Sequence, residues 1–282
     1  MILCHTTEEL ASAVMQAKQQ GKSVGFVPTM GALHDGHLSL VRQAQRQSDF
    51  VVVSVFVNPL QFGEKTDFDS YPRTLGVDAR LLTDAGVDVL FAPSVQEVFP
   101  AQAKLTEPVP GKIAEGFEGA ARPGHFAGML KVVSRLFDLV QPDYAFFGQK
   151  DAQQLALVRQ MVAEQISDGR RDPMKVVACE TIRDENGLAL SSRNSRLSPA
   201  DLEIAGTLYK ALVAGSKAGK KRSDIVLAAK AELADEARLD YLELVDPQSF
   251  EIVEQLPAGG GLLIIAAKVG DVRLIDNLLI GG

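Results

Sequence analysis

The sequence predicts an α/β protein, with a doubly wound, Rossmann-like parallel sheet followed by a smaller α+β C-terminal domain that carries an antiparallel sheet. The first observation is that segments with strand character alternate with segments of helical apolar spacing up to about residue 182. The second is that, after about Ser195, two consecutive helical segments precede three strands joined by tight turns. The boundary is placed near residues 182–196, so the predicted domains are residues 1–182 and 183–282.

The strands and helices of the first domain follow from residue type and spacing. The segment "FVVVSVFVN" is rich in β-branched residues and apolar on both faces, as a central parallel strand is. From Phe126 to Val140 apolar residues recur at helical spacing. In chain order, the predicted elements are strand KSVGFVP, helix HLSLVRQAQRQS, strand FVVVSVFVN, helix LGVDARLLTDAG, strand VDVLFAP, the helix from Phe126, strand YAFFGQ, helix DAQQLALVRQMVAEQ with Asp151 as its N-cap, and strand KVVACET.

The second domain is predicted to contain two helices and three strands. The helices are SPADLEIAGTLYKALVAGSKAG and SDIVLAAKAELADEA, and the strands are LDYLELVD, LLIIAAKVG and VRLIDNLLI. Turns such as VGDV join the strands, which favours an antiparallel sheet.

Composition narrows the classes of function. At 282 residues the chain exceeds the usual single domain of about 100–200 residues. Its 29 Lys and Arg against 36 Asp and Glu give a net charge of -7, which disfavours a broad nucleic-acid surface. A small anion site remains compatible, because backbone dipoles and a few cations can hold a phosphate in an acidic protein.

Cysteine usage and apolar runs predict a cytoplasmic protein. Cys4 and Cys179 are isolated and match no metal-binding spacing, which fits a reducing compartment. The opening segment MILCHTTEEL lacks a basic stretch followed by an apolar one, so no signal peptide is expected. The longest apolar runs are too short to span a bilayer, and no membrane partner is expected.

The segment VPTMGALHDGH places two of the four histidines, His34 and His37, in a glycine-containing strand-to-helix turn. Gly31 and Gly36 allow tight turns and close backbone approach. His37 is expected in the first helical turn, where unpaired N–H groups and the helix dipole attract anions. A phosphate site is therefore predicted. The alternatives are that both histidines only satisfy backbone groups, or that they bind a metal, for which no spacing supplies further ligands.

Four further segments place polar side chains at strand ends or loops. Their candidate residues are Asn58, Gln61 and Phe62 in FVNPLQF, Arg122 and His125 in ARPGHF, Gly148, Gln149, Lys150, Asp151 and Gln154 in FGQKDAQQ, and Ser191, Ser192 and Arg193 in LALSSRN. The amides suit hydroxyls and amines, whereas the lysine and arginine suit phosphates. Each segment has a plainer alternative, namely a polar loop, helix capping, a solvated surface charge and a serine-rich interdomain turn.

The H-x-G-H pattern His34–His37 resembles the signature of the nucleotidyltransferase superfamily, which includes class I aminoacyl-tRNA synthetases and small adenylyl- and cytidylyltransferases. The longer string PTMGALHDGH is narrower and resembles the pantothenate synthetase (pantoate–β-alanine ligase) family. The segments FVNPLQF, RPGHFAG, FGQKDAQQ and LALSSRN also match that family, and the C-terminal domain is similar in length and texture. Gln149 stands where the commoner form of the family has Glu.

The resemblance implies an ATP-dependent ligase that joins pantoate to β-alanine through a pantoyl-adenylate, releasing pyrophosphate and then AMP. It implies catalytic roles for His34, His37, Lys150 and Arg193, and a lid role for residues 183–282. It implies that pantoate and β-alanine are bound by Asn58, Gln61, Phe62, Gln154, Arg122 and His125. It implies that ATP is bound by Met30, Gly31, His34, Gly36, His37, Gly148, Gln149, Lys150, Asp151, Ile182, Leu190, Ser191, Ser192 and Arg193.

Mg²⁺ is expected to arrive with ATP, and its protein ligand stays unassigned. A homodimer is implied by the resemblance alone. Two alternatives of function stay open at this point. One is another H-x-G-H nucleotidyltransferase that stops at the nucleotidyl product, and the other is a non-catalytic nucleotide-sensing domain. Release of AMP that depends on an amine separates the first alternative from the ligase, and pyrophosphate release with a carboxylic acid excludes the second.

Overall fold

The computed structural model describes residues 1–62, 68–69, 71–102, 105 and 107–281. It forms two compact units: Met1–Gly148 with Leu157–Cys179, and Gln149–Ala156 with Glu180–Gly282. In the described ranges a six-stranded parallel sheet and a three-stranded antiparallel sheet are present, which confirms the predicted fold class. The predicted domain boundary between residues 182 and 183 stays a prediction.

The parallel sheet has the strand order β1-β4-β3-β2-β5-β6. Its strands are β1 (Ile2–Cys4), β2 (Val24–Thr29), β3 (Phe50–Val55), β4 (Val89–Phe91), β5 (Tyr144–Gly148) and β6 (Lys175–Cys179). The helices that follow or precede them are α1 (Thr7–Gln19), α2 (Asp35–Gln47), α3 (Leu75–Asp84), α4 (Val95–Val98), α5 (Glu118–Ala121), α6 (His125–Val140) and α7 (Ala152–Ser167).

The order of the strands reverses at the centre of this sheet. Strand β2 lies between β3 and β5, and β3 is buried on both faces, as its run of β-branched residues predicts. Leu40, Val41 and Ala44 of α2 pack with Val53 of β3 in one buried cluster. Ligands of doubly wound sheets bind at the carboxyl ends of the strands beside such a reversal, so the turn after β2 occupies the favoured position.

The opening segment forms a strand and a helix that were not predicted from the sequence. Strand β1 pairs in parallel with β4, and α1 follows it. A capping box joins Thr6 and Glu9 at the start of α1. The spacing Thr-x-x-Glu was visible in the sequence and is the usual indication of such a start.

The second unit places two helices against an antiparallel sheet. The helices are α8 (Pro199–Ser216) and α9 (Arg222–Lys230), and the strands, in the order β7-β8-β9, are β7 (Arg238–Val245), β8 (Gly261–Val269) and β9 (Val272–Ile280). Helix α9 was predicted to reach Ala237 but ends at Lys230, and this extent was wrong. The residues beyond it include Asp235 and Glu236, and acidic side chains are unfavourable at a helix C-terminus. Among the described residues, no helix is both long and apolar enough to cross a membrane.

Candidate active site

The two histidines of the turn after β2 cap helix α2 reciprocally. His34 is the N-cap residue, and its Nδ1 accepts a hydrogen bond from the backbone N–H of Gly36 at 3.1 Å. His37 lies in the first turn, as predicted, and its Nδ1 accepts from the backbone N–H of His34 at 3.4 Å. The ring centroids are 4.2 Å apart. The pair therefore satisfies two of the unpaired N–H groups at this helix start.

These contacts also fix which nitrogen of each ring can donate. A ring nitrogen that accepts a hydrogen bond carries no proton, so the proton of each neutral imidazole resides on Nε2. Backbone satisfaction, which the sequence left as an alternative to a phosphate site, is provided by the Nδ1 atom of each ring. Capping through Nδ1 is therefore compatible with a ligand-binding role for the same two residues.

A buried carboxylate on α3 holds the backbone just before the histidines. Asp78 is 1% exposed, and its two oxygens accept from the backbone N–H groups of Ala32 at 3.1 Å and Leu33 at 2.9 Å. It also accepts from Thr74 Oγ1 at 3.2 Å. Ala32 has a φ of 50°, which is left-handed backbone that alanine rarely adopts. Asp78 thus stabilises a strained loop conformation that delivers the chain to His34.

Gly31 is required by the same loop. Its φ is 85°, and a Cβ there would lie 2.9 Å from Val55 Cγ1 and 3.1 Å from Asp78 Oδ2. Gly31 was predicted from the sequence, whereas Asp78 was not. The only indication was one acidic residue among the apolar positions of LGVDARLL, and this spacing also suits an exposed helix face.

Gln61 is held by its neighbours at the end of β3. Its side-chain oxygen accepts from Asn58 Nδ2 at 3.2 Å, and its side-chain nitrogen donates to Met30 Sδ. Asn58 is 1% exposed and also donates to the carbonyl of Gly128 at 3.0 Å. The amide of Asn58 is therefore used within the protein, and it orients Gln61. Phe62 packs edge-to-face with Tyr71, with centroids 5.6 Å apart.

Arg122 and His125 form a short chain of hydrogen bonds to the same turn. His125 is buried, and its Nδ1 lies 2.7 Å from the carbonyl oxygen of Gln61. Its Nε2 lies 3.1 Å from Arg122 Nη1, and a guanidinium can only donate. Nε2 is therefore the acceptor, and Nδ1–H donates to Gln61. The predicted substrate residues Asn58, Gln61, Arg122 and His125 are thus brought together, with His125 serving the turn rather than facing outward.

Gly128 permits the close approach of α6 to the turn that contains Gln61. The substitution Gly128→Ala should therefore destabilise the protein. An added Cβ would lie 2.0 Å from the carbonyl oxygen of Leu60 and 2.9 Å from the backbone nitrogen of Gln61. We expect a loss of about 1–3 kcal/mol in the free energy of unfolding, the usual cost of overpacking. Urea unfolding followed by far-UV circular dichroism measures it.

Gly76→Ala is the matched control for this variant. Gly76 also lies in a helix, but nothing stands within 4 Å of a Cβ added there. Alanine should stabilise that helix by roughly 0.5–1 kcal/mol. A Gly128→Ala variant as stable as the unmodified protein would show that the turn yields without cost.

Lys150 lies in a 3₁₀ turn, Gln149–Asp151, that follows β5 directly and belongs to the second unit. Its Nζ contacts Asp151 Oδ1 at 3.2 Å, and α7 begins at the next residue. Asn277 of β9 donates from its side chain to the carbonyl oxygens of Gln149 and Lys150, at 2.9 Å each. Gln154 is partly exposed in the first turn of α7. Asn277 therefore anchors this turn through its backbone carbonyls rather than through its side chains.

The segment LALSSRN, which contains the predicted ATP-binding residues Ser191, Ser192 and Arg193, is held by hydrogen bonds within the second unit. Leu190 donates from its backbone to the carbonyl of Ile182 at 2.9 Å. The Ser191 hydroxyl accepts from the backbone N–H of Arg193 at 3.3 Å and caps the 3₁₀ turn Ser192–Arg196. The side chains of Ser191, Ser192 and Arg193 are all partly exposed. Two hydroxyls and a guanidinium are thus presented together on one short turn.

Neither of the two cysteines, both in the described part of the chain, is activated as a nucleophile. Burial raises the pKa of the Cys179 thiol to about 11, and burial with the nearby Glu9 carboxylate raises the pKa of Cys4. Both thiols therefore stay protonated near neutral pH and are poor nucleophiles. Across the described residues, no group of three or more His, Cys, Asp and Glu is arranged to hold a metal ion.

A doubly wound parallel sheet with the His34–His37 turn at the reversal of its strand order is the arrangement of α/β proteins that bind a ligand at the carboxyl ends of their strands. The sequence profile of one family, described as Pantoate-beta-alanine ligase, matches residues 2–279. The chain therefore belongs to the pantoate–β-alanine ligase family, which confirms the resemblance seen in its motifs.

Individual relatives match over nearly the whole chain. A pantothenate synthetase from Nocardioides sp. is 48% identical, with 98% of this chain and 84% of the relative covered. The crystal structure of pantothenate synthetase from Thermus thermophilus has a TM-score of 0.91 and 45% identity, with both chains covered completely. A pantoate-beta-alanine ligase from Francisella tularensis, complexed with beta-gamma ATP and beta-alanine, has a TM-score of 0.80 and 36% identity, with 99% of this chain and 97% of that chain covered.

Proposed function

We propose that this protein is an ATP-dependent ligase that joins pantoate to β-alanine and forms pantothenate. The observation that carries the proposal is the family match over residues 2–279 together with the reciprocal capping of His34 and His37, which orients both rings at a helix start. The pantoate carboxylate attacks the α-phosphorus of ATP, and pyrophosphate leaves. The β-alanine amine then attacks the acyl carbon of the adenylate, loses a proton and displaces AMP.

The histidine turn supports the first step by binding charge. His34 and His37 donate from Nε2 to phosphate oxygens, next to the N–H groups and positive dipole end of α2. Because such donors are already in place before the reaction, they stabilise the transition state, in which negative charge is redistributed over the phosphate oxygens. Lys150 and Arg193 add positive charge toward the phosphates, and Arg193 can use two parallel N–H donors.

Gln61 and Asn58 are proposed to serve the binding of the other two substrates, pantoate and β-alanine. Gln61 offers a donor and an acceptor to the hydroxyl and carboxylate groups of pantoate and to β-alanine, with Asn58 keeping its amide in place. Phe62, Gln154 and Arg122 complete the proposed substrate-binding set, and His125 contributes to it by holding the turn of Gln61 through its Nδ1–H. In this proposal the set acts by positioning the two substrates, and no covalent enzyme intermediate is required.

ATP would bind along Met30–His37, Gly148–Asp151, and Ile182 with Leu190–Arg193. Mg²⁺ fits as an ion carried by the triphosphate, because the described residues provide no cluster of acidic and histidine ligands for a separate site. Bound there, it would neutralise phosphate charge. We also infer a cytoplasmic location and a homodimer, both of which are properties to be measured on the purified protein and in cells.

The order of product release tests the proposed function. With ATP, Mg²⁺ and pantoate alone, we expect one equivalent of pyrophosphate per active site, an enzyme-bound adenylate and almost no AMP. Adding β-alanine should release AMP and pantothenate in equal amounts, because the amine is needed to displace AMP. Coupled assays for pyrophosphate and AMP, with each substrate omitted in turn, measure this.

Two results would contradict the proposal. Formation of ADP and phosphate would indicate an acyl-phosphate route. A nucleotidyl product that β-alanine does not convert would indicate a transferase that stops after the first step.

A further inference from the structure

Asn277 is a buried amide of β9 whose side chain serves a segment outside the antiparallel sheet. It is 8% exposed, and its Nδ2 donates to two consecutive peptide carbonyls, those of Gln149 and Lys150, at 2.9 Å each. An amide nitrogen has two hydrogens, so both are used by one 3₁₀ turn. Residues 127 positions apart in sequence are thereby joined within the second unit.

The residue before it, Asp276, ties β9 to Arg183, in the segment that leads to Ser191. Asp276 is 5% exposed and accepts from Arg183 Nη2 at 2.9 Å, and its other oxygen pairs with Nη1. Arg183 also donates to the carbonyl of Gly187 at 3.1 Å and stacks on Tyr209, with its guanidinium carbon 3.8 Å from the ring centroid. Arg183 and Gly187 lie between Ile182 and Leu190, which are joined by a backbone hydrogen bond. Ser191 follows Leu190 directly.

We propose that Asn277 is a positioning residue for Lys150 and that Asp276 and Asn277 together hold the Lys150 turn in register with the Ser191–Arg193 turn. This inference rests on the proposed function, in which both turns bind ATP phosphates. The second unit carries both basic groups, and adjacent residues of β9 contact the segment of each. Asn277 contacts no substrate, because its amide donors are spent on backbone carbonyls.

The chemistry of the contact suits positioning better than simple strand stability. The two carbonyls flank the Cα of Lys150, so their hydrogen bonds fix the direction in which its side chain leaves the backbone. Without them the carbonyls are hydrogen-bonded by water instead, and the side chain samples more directions. Loss of these hydrogen bonds should therefore weaken the binding of an anion by Lys150, since an anion site needs its cation held in place before the ligand arrives.

A double-mutant cycle on nucleotide affinity tests this. The dissociation constant of α,β-methylene-ATP with Mg²⁺ is measured by calorimetry for the full chain and for Lys150→Ala, Asn277→Ala and the double variant. We expect Lys150→Ala to weaken binding by about tenfold or more, as for a lost hydrogen bond to a charged group. Asn277→Ala should weaken it roughly threefold to tenfold, but less than about twofold once Lys150 is absent.

Matched variants separate positioning from stability. Asn277→Asp keeps the shape but replaces the donors by acceptors, and it should lose at least as much affinity as Asn277→Ala. Leu279→Ala changes an exposed side chain two residues along the same strand and should leave affinity unchanged. Far-UV circular dichroism and thermal unfolding confirm that each variant is folded before its affinity is compared.

The outcomes distinguish this inference from the proposed function. Equal losses from Asn277→Ala with and without Lys150 would overturn the inference and assign Asn277 a structural role only. Normal nucleotide affinity in Lys150→Ala would overturn it as well. An enzyme that shows the coupled losses yet releases no pyrophosphate with pantoate would keep the inference and refute the proposed function.

Discussion

Replacing His37 with alanine will lower turnover by roughly 10²–10³ while leaving the fold intact, which is the scale expected for losing one preorganised donor to developing charge. The variant loses two things at once. It loses the Nε2–H that is proposed to meet a phosphate oxygen, and the Nδ1 that accepts from the backbone of His34 at 3.4 Å. The first loss should dominate activity. The second should cost about 1 kcal/mol of stability or less, as other helix caps do.

Two amide variants separate these losses. In His37→Asn the side-chain oxygen lies near the position of Nδ1, so the cap is kept and the outward donor is lost. In His37→Gln the side-chain nitrogen reaches toward the position of Nε2, so a donor is kept and the cap is lost. Single-turnover pyrophosphate release should be faster in His37→Gln than in His37→Asn, with the reverse order of thermal stability. Near-normal adenylate formation in His37→Asn would exclude the proposed role.

Replacing Arg183 with alanine will remove about 3–5 kcal/mol from the stability of the second unit, since it leaves the buried Asp276 carboxylate without its partner. The side chains of Arg183 and Asp276 are 15% and 4% exposed, so water cannot take over the lost interactions fully. Burial already raises the pKa of Asp276 against the opposing effect of Arg183. Because the chain contains no tryptophan, far-UV circular dichroism in urea is the suitable measurement.

Arg273→Ala is the control for this variant. Arg273 is also on β9, pairs with the Asp240 carboxylate at 2.7 Å and lies over a tyrosine ring, Tyr241. The side chain of Asp240 is 49% exposed, however, so this pair is solvated and its removal should cost less than about 1 kcal/mol. Equal losses in the two variants would mean that burial does not decide the strength of these pairs.

Local sequence predicted the parts of the fold that depend on local physics. The β-branched run at Phe50–Val55 and the apolar spacing of α6 each allow one main interpretation, and both elements form as predicted. The histidine turn was also predictable from the sequence, because the strand, the glycine and the helix start are consecutive in the chain. The reciprocal use of Nδ1 was not, since it depends on ring orientations that residue types alone do not define.

The residues that support the site from a distance could not be predicted from the sequence, for a different reason. Asp78 and Asn277 act through partners about 45 and 127 residues away, and neither stands in a motif of its own. Such contacts depend on tertiary structure, which fixed spacings cannot report. For the same reason, the sequence did not predict that Gln149–Ala156 groups with the second unit, although the chain enters this segment directly from β5.

The distance in sequence between Asn277 and its turn also has a consequence for protein synthesis. A nascent chain emerges N-terminus first, and domains fold as units in that order. The first unit ends at Cys179, so its sheet can be completed while β9 is still untranslated. The segment Gln149–Ala156 is then already made but has no partner strand. We therefore expect the ribosome-bound chain to acquire a folded first unit well before it can hold Lys150 in its final direction.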